Sequence, residues 1–227
     1  MAPQLNRGAL DGNIETKNWL ITVKPDCSSG IIGIKGNTVG SLSSAQHAIL
    51  IGSLLGDGTL RKQGTRTNAL LEVNHANAFS EYVDWKWQNF REFVLTPPKA
   101  RKGNGKRVAY RFTTRSLSIF TDYYNWFYHQ GKKRVPGNLS IEPLSLAVWF
   151  MDDGTNIRSA FYLNTQQFTV QDQLFLKGIL KQKFGLNSAL NRDKNYFRLR
   201  ITSGSTKKMI NIIKRHILPC MRYKLTI

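Results

Sequence analysis

The sequence predicts an α+β fold of two copies of one αββαββα-like unit, with one apolar helix from each copy packed against the other at the centre. Three observations predict it. An apolar helix ending in aspartate-glycine occurs twice, as ILIGSLLGDG (49–58) and LSLAVWFMDDG (144–154). Helical and strand-like hydrophobic periodicities alternate through the remainder of each copy. Markers also recur in one order: Gly58 at Gly154, FVL (93–95) as FGL (184–186), and RFTT (111–114) as RITS (200–203), at offsets of 96, 91 and 89 residues. A nearly constant period marks an internal duplication with pseudo-twofold symmetry.

Residues 1–41 are rich in glycine, serine and asparagine and carry two short β-like runs, WLITV (19–23) and IIGI (31–34). They read as an N-terminal extension, followed by a first half at 42–137 and a second at 138–227. Ser43 or Ser44 can cap the helix AQHAILIGSLL, which ends at Gly56-Asp57-Gly58. Strand-like TLRKQ and NALLEVNH come next. A long helix then places Phe79, Val83, Trp87, Phe90 and Val94 on one face, until Pro97 and Pro98 stop it. The basic stretch KARKGNGKR reads as a loop into the strand RVAYRFTTR, and the aromatic helix IFTDYYNWFY closes the half. The linker GKKRVPGNLSIEP leads to the second apolar helix, after which the order of elements repeats.

Lysine and arginine outnumber aspartate and glutamate by 33 to 14, a net charge of +19 spread along the chain. Such an excess points to a polyanionic partner, because each phosphate neutralised releases counterions. A basic solvated surface is the alternative. The two cysteines, Cys27 and Cys220, and the four histidines show no zinc-ligand spacing, and the low cysteine count fits a reducing compartment. No apolar run approaches the roughly 20 residues that span a bilayer, so no membrane partner is expected. The start, MAPQLNRGALDG, resembles neither a signal nor a transit peptide, so a chain of this kind working in an organelle would be made there.

Both apolar helices lack a polar side and should be buried all round. Gly52, Ser53 and Gly56 in one, and Ser145 and Ala147 in the other, allow close backbone approach. Gly58 and Gly154 can supply the left-handed residue that ends a helix. Asp57 and Asp153 have no such structural task. A carboxylate at a helix C-terminus meets the negative end of the dipole, at a cost of roughly 0.3 to 1 kcal/mol. Two such acids at matching ends of paired helices would also repel each other. A divalent cation between them relieves both penalties, and carboxylate oxygens suit magnesium. The alternative is a pair of exposed turn aspartates.

The two helices with their terminal acids resemble the paired motifs of single-chain, double-motif LAGLIDADG homing endonucleases, over residues 42 to 227. PLSLAVWFMDDG followed by LNTQ (163–166) is especially similar to the intron-encoded members. The resemblance implies a site-specific double-strand DNA endonuclease that leaves short 3′ overhangs, and the internal duplication points to a monomer. Asp57 and Asp153 would carry Mg2+ or Mn2+, with Ca2+ as a non-catalytic substitute. Gly56 and Asp152 complete the metal set, Asp152 being the poorer candidate because its position in the motif is variable. Lys133 and Lys224, 91 residues apart, match the basic residues that support cleavage, or are ordinary phosphate contacts.

Recognition is expected from a basic saddle of strands. Arg198, Arg200 and Thr202 alternate with Phe197, Leu199 and Ile201, as Arg111, Thr113 and Arg115 do with Tyr110, Phe112 and Thr114. Arg61, Gln63, Arg66, Arg158, Tyr162, Asn164 and Gln166 extend that surface. Arginine reads guanine in the major groove, but a solvated strand face is the alternative for any one of these residues. Two rival functions remain: an RNA-binding intron maturase, and a DNA-binding regulator without catalysis. An intron-encoded origin would place the protein in a mitochondrion or chloroplast; otherwise the cytoplasm or nucleoid is expected, and secretion is not.

Overall fold

In a computed structural model, the residues described are 41–226, apart from 66, 104, 106, 158 and 159. The two β-like runs of the extension, Cys27, Arg66 and Arg158 lie outside the described residues. Each half follows the same order. The first comprises α1 (Ser44–Leu55), β1 (Thr59–Lys62), β2 (Ala69–Ala76), α2 (Ser80–Asn89), β3 (Lys99–Lys102), β4 (Val108–Thr113) and α3 (Ser118–Phe127). A small hairpin, β5 (Tyr128–His129) and β6 (Lys132–Lys133), follows it. The second half comprises α4 (Pro143–Asp153), β7 (Gly154–Ile157), β8 (Ala160–Leu163), α5 (Val170–Phe184), β9 (Ser188–Asp193), β10 (Tyr196–Ile201) and α6 (Ser203–Ile213). The antiparallel sheets have matching orders, β1-β2-β4-β3 and β7-β8-β10-β9. Element for element, this is the αββαββα duplication that the repeat offsets predict.

The two central helices start from reciprocal caps. Ser43 Oγ accepts from the Gln46 N–H at 3.2 Å while Gln46 Oε1 accepts from the Ser43 N–H at 2.8 Å. In α4, Glu142 and Ser145 form the corresponding box, with Pro143 in the first turn, where its missing N–H costs nothing. Every residue from Ala48 to Leu55, and from Ser145 to Met151, is buried. The helices pack on each other closely enough to need a glycine. A Cβ on Gly52 would stand 2.5 Å from the Ser145 carbonyl oxygen and 2.6 Å from Val148 Cβ. Around this pair, Phe112, Phe120, Phe150, Phe161, Leu199 and Ile201 belong to one core shared by both halves.

Three local expectations need correction. Helix α2 stops at Asn89, well before the prolines. Phe90 leaves helical geometry at φ −109° and ψ 14° and drops into the core, and a 3-10 turn at Arg91–Phe93 buries Phe93 behind it. The basic KARK segment is strand β3, not loop; all four of its side chains are exposed, so no buried face imposes an alternating signal. Gly58 and Gly154 are not left-handed. Gly154 has φ −77°, and both are glycine for space: a Cβ would lie 2.7 Å from Ser53 Cβ at Gly58 and 2.2 Å from the Phe150 ring at Gly154. Among the described residues, no helix is long and apolar enough to cross a membrane.

The close approach at Gly52 predicts that Gly52→Ala destabilises the fold by roughly 1–3 kcal/mol or more, since neither a carbonyl oxygen nor a packed Val148 can yield. Gly178, inside α5 with open space around it, supplies the contrast: Gly178→Ala should stabilise by about 0.5–1 kcal/mol. Urea-denaturation midpoints of the two variants check both signs.

Candidate functional site

The parallel endings of α1 and α4 bring Asp57 and Asp153 to one open cleft, lined by Gly56, Asp57, Thr59, Lys133, Asp153, Asn164, Gln166 and Gln167. Gly56 N–H closes α1 onto the Gly52 and Ser53 carbonyls at 3.1 Å, and Gly58 N–H reaches Ser53 O at 2.8 Å. This tight turn leaves the Asp57 side chain 47% exposed. Asp153 ends α4, and its main-chain oxygen accepts from the Asn164 N–H at 3.0 Å. Among the described residues, no side chain donates a hydrogen bond to the Asp153 carboxylate.

An uncompensated acid in a partly buried place resists ionisation. Burial, reinforced by the charges of Asp57 and Asp152, pushes Asp153 up to about 7. Partial burial and then the Asp152 charge also raise Asp57. The helix ends themselves carry a cation each. Lys133 Nζ donates to the Gly56 and Gly58 carbonyls at 3.1 and 2.9 Å, and Lys224 Nζ donates to the Met151 and Asp152 carbonyls at 2.6 and 3.3 Å. Each lysine therefore meets the negative end of one central helix. Burial lowers Lys133 to about 8 and lowers Lys224 as well. The tight β5–β6 hairpin delivers Lys133; its turn residues Gln130 and Gly131 have φ of 49° and 73°, which a primed two-residue turn demands. Gln167, not anticipated from the sequence, reaches across from the second half to donate to the Leu55 and Gly56 carbonyls at 3.2 and 3.3 Å.

Asp152 departs from its expected role. Its side chain is fully buried and crosses into the first half, accepting from Tyr82 Oη at 2.7 Å and from Lys86 Nζ at 2.8 and 3.0 Å. Space for it exists because its counterpart is Gly56, where a Cβ would lie 2.4 Å from Asp152 Cβ. Lys86 is itself fully buried, on the inner face of α2. His75, from β2, stands between the acids, with Nδ1 3.6 Å from Asp57 and Nε2 3.6 Å from Asp152. Burial, then the Lys86 charge, lowers its ring to about 4. Sequence periodicity missed Tyr82 and Lys86, although their four-residue spacing beside Val83 puts them on one helical face. Ligation by the Asp152 carboxylate is not supported, since both oxygens are spoken for; its main-chain oxygen, paired with Lys224, matches that of Gly56.

The strand residues divide into groups. Arg61 pairs with Glu72 at 2.5 Å, and Arg111 lies 3.6 Å from the same carboxylate. Gln63, Thr113 and Arg115 line a neighbouring groove, where Arg115 also donates to the Glu92 carbonyl. In the second sheet Arg198 lies over the Tyr162 ring at 4.2 Å and bonds Asn164 at 3.3 Å, while Arg200 is exposed. Gln166 bonds Asp193 at 2.8 Å. Thr202 leaves the ladder: it is the N-cap residue of α6, and its hydroxyl donates to the Asn187 carbonyl at 3.2 Å.

Removing one member of a buried ion pair strands the other charge, so Lys86→Met alone should cost about 3–5 kcal/mol, whereas Lys86→Met with Asp152→Asn should recover much of that loss. Thermal denaturation of the single and double variants measures the difference; equal destabilisation would contradict a buried pair.

Comparison with known proteins agrees with this geometry. The family model described as the LAGLIDADG DNA endonuclease family matches residues 47–209. The chain is 30% identical over 200 residues to "Probable intron-encoded endonuclease 1" of Wickerhamomyces canadensis, covering 82% of this chain and 85% of that one. It is 29% identical over 189 residues to the cytochrome b mRNA maturase bI2 of Debaryomyces hansenii, covering 78% and 72%. The solved structure of the homing endonuclease I-WcaI bound to its DNA recognition sequence superposes with a TM-score of 0.77 at 28% identity, covering 86% of this chain and 96% of that one. With two capped apolar helices that end in facing acids, and with the family model spanning most of its length, this chain belongs to the LAGLIDADG DNA endonuclease family.

Proposed function

We propose that the protein is a site-specific homing endonuclease that cuts both strands of a DNA duplex with a divalent cation. The observation that carries the reading is the convergence of Asp57 and Asp153, one from each half, on a single cleft edged by Lys133. The site fits Mg2+ or Mn2+, with Ca2+ as a non-catalytic substitute. Its two carboxylates resist ionisation, that of Asp153 has no side-chain hydrogen-bond donor among the described residues, and oxygen-rich surroundings suit a hard cation. Asp57 and Asp153 would hold the metal, with the main-chain oxygens of Gly56 and Asp152 beside them. When bound, the cation supplies activation of water and neutralisation of charge at the scissile phosphates.

The chain's own residues provide position and charge. Lys133 and Lys224 fix the two helix ends and add positive potential where the phosphates would lie. With one acid from each half, each half serves one strand, and the product is a double-strand break with short 3′ overhangs. The strand faces carrying Arg61, Arg111, Arg198 and Arg200 would form a saddle over the duplex; Glu72 holds Arg61 and Arg111, and Arg198 lies over the Tyr162 ring. Duplication within one chain makes a monomer sufficient. A maturase relative favours a second reading, assistance to intron RNA splicing, and an origin in an organelle.

The test is incubation with a plasmid carrying the uninterrupted form of the sequence that flanks this reading frame. Asp57→Asn and Asp153→Asn should each lower double-strand cleavage by at least 100-fold, on the order of losing a main source of transition-state stabilisation. Unimpaired cleavage by either variant would sink the assignment, while splicing that survives both substitutions would identify a separate maturase activity. Binding affinity should fall steeply with salt, with a slope of about −0.9 per phosphate contact on logarithmic axes; a nearly flat plot contradicts the saddle. Metal binding has its own readout. Mg2+ at about 100 times its Kd should stabilise the wild type by about 2.7 kcal/mol, seen as a higher melting temperature that Asp153→Asn no longer shows.

A further inference from the structure

The acids of the cleft are symmetric in sequence but not in surroundings. Neither carboxylate receives a side-chain hydrogen bond among the described residues, but Asp57 has the ring of His75 beside it, with Nδ1 3.6 Å from Oδ2. That ring is only 8% exposed and cannot drift. Tyr82 lies against it, with centroids 5.2 Å apart, and Asp152 stands 3.6 Å from Nε2 on its other side. Asp152 is anchored in turn by Lys86 and Tyr82. The Asp152 Oδ1 already accepts from both of those groups, and Nε2 has no hydrogen-bond partner.

The strand registers show what the second half offers instead. Thr59 and Thr155, each two residues beyond its helix-terminal acid, pair with Glu72 and Tyr162, so counted from those acids the position matching His75 is Thr165, just past the end of β8. Thr165 is fully buried, and its hydroxyl donates to Gln173 at 3.0 Å. Among the described residues, no histidine of the second half stands beside Asp153 as His75 does beside Asp57.

We propose that His75 is a positioning residue for Asp57, held by the buried Lys86–Asp152 pair that crosses between the halves, and that this one-sided support makes the two DNA strands depend unequally on it. The inference rests on the endonuclease reading. Its carrier is a chain of contacts from α4 through Asp152 and His75 to the Asp57 carboxylate, with no equivalent running the other way among the described residues. The cleavage of one strand then requires the ring, and cleavage of the other does not.

The experiment follows each strand separately, with the full chain, Mg2+ and the plasmid described above, each strand labelled so that first nicks are assigned. His75→Ala should slow one strand by tenfold or more and the other by less than threefold, so that nicked circles accumulate before linear product. His75→Gln, which keeps a donor near Asp57, should restore most of the lost rate. Lys86→Met with Asp152→Asn, which removes both buried charges together, should shift the strand ratio in the same direction. A purely structural role would slow both strands alike, and that result, or an unchanged ratio in a folded His75→Gln and His75→Ala pair, overturns the proposal. If the wild type cuts neither strand, the endonuclease reading itself falls; if it cuts both and the ratio is indifferent to His75, only this inference does.

Discussion

The molecule depends on how closely α1 and α4 lie. Two helices with no polar side must bury themselves completely, and Gly52 against Ser145 and Val148 lets their backbones meet. Once they do, the ends of both helices share one location, and whatever side chains terminate them are forced together. The sheets, the caps and the surrounding aromatic core all serve to hold that seam. The cleft is a geometric by-product of close packing: a helix pair that needed more room would separate its terminal acids.

Placing acids at such a location is electrostatically unfavourable, and the protein handles each source of strain separately. Lys133 and Lys224 neutralise the helix ends through main-chain oxygens and leave the carboxylates of Asp57 and Asp153 unbonded to either lysine. The third acid is withdrawn altogether into a buried pair with Lys86. Within a chain of net charge +19, the negative site is thus local and surrounded by cations. A polyanion approaching the sheets would meet a favourable field at long range and a cation-hungry centre only on contact.

What the sequence revealed and what it hid follow from the same physics. The duplicated apolar helices, their caps and the order of strands were legible because burial imposes period and terminal residues impose chemistry. Asp57, Asp153 and Lys133 stood out since each recurs with the repeat or fits no structural need. The features that escaped are those with no local signature. KARK has no buried face and so no alternation; Phe90 ends α2 by a tertiary pull into the core; Gly58 and Gly154 answer to neighbouring side chains and not to backbone torsion. Lys86 was hidden because a lysine on a helix is ordinarily solvated, and only its partner 66 residues away explains its burial.

The exchange of Gly56 for Asp152 at matching positions has a historical consequence. If the chain arose by fusing two identical subunits, the ancestral seam carried the same residue on both sides. Today the sides fit only each other. Two copies of the first half would bring glycine to glycine and leave a pair of lysines sealed in the interior without counterions; two copies of the second would drive one carboxylate into another. The halves have become lock and key, and return to a symmetric dimer is closed to either one alone.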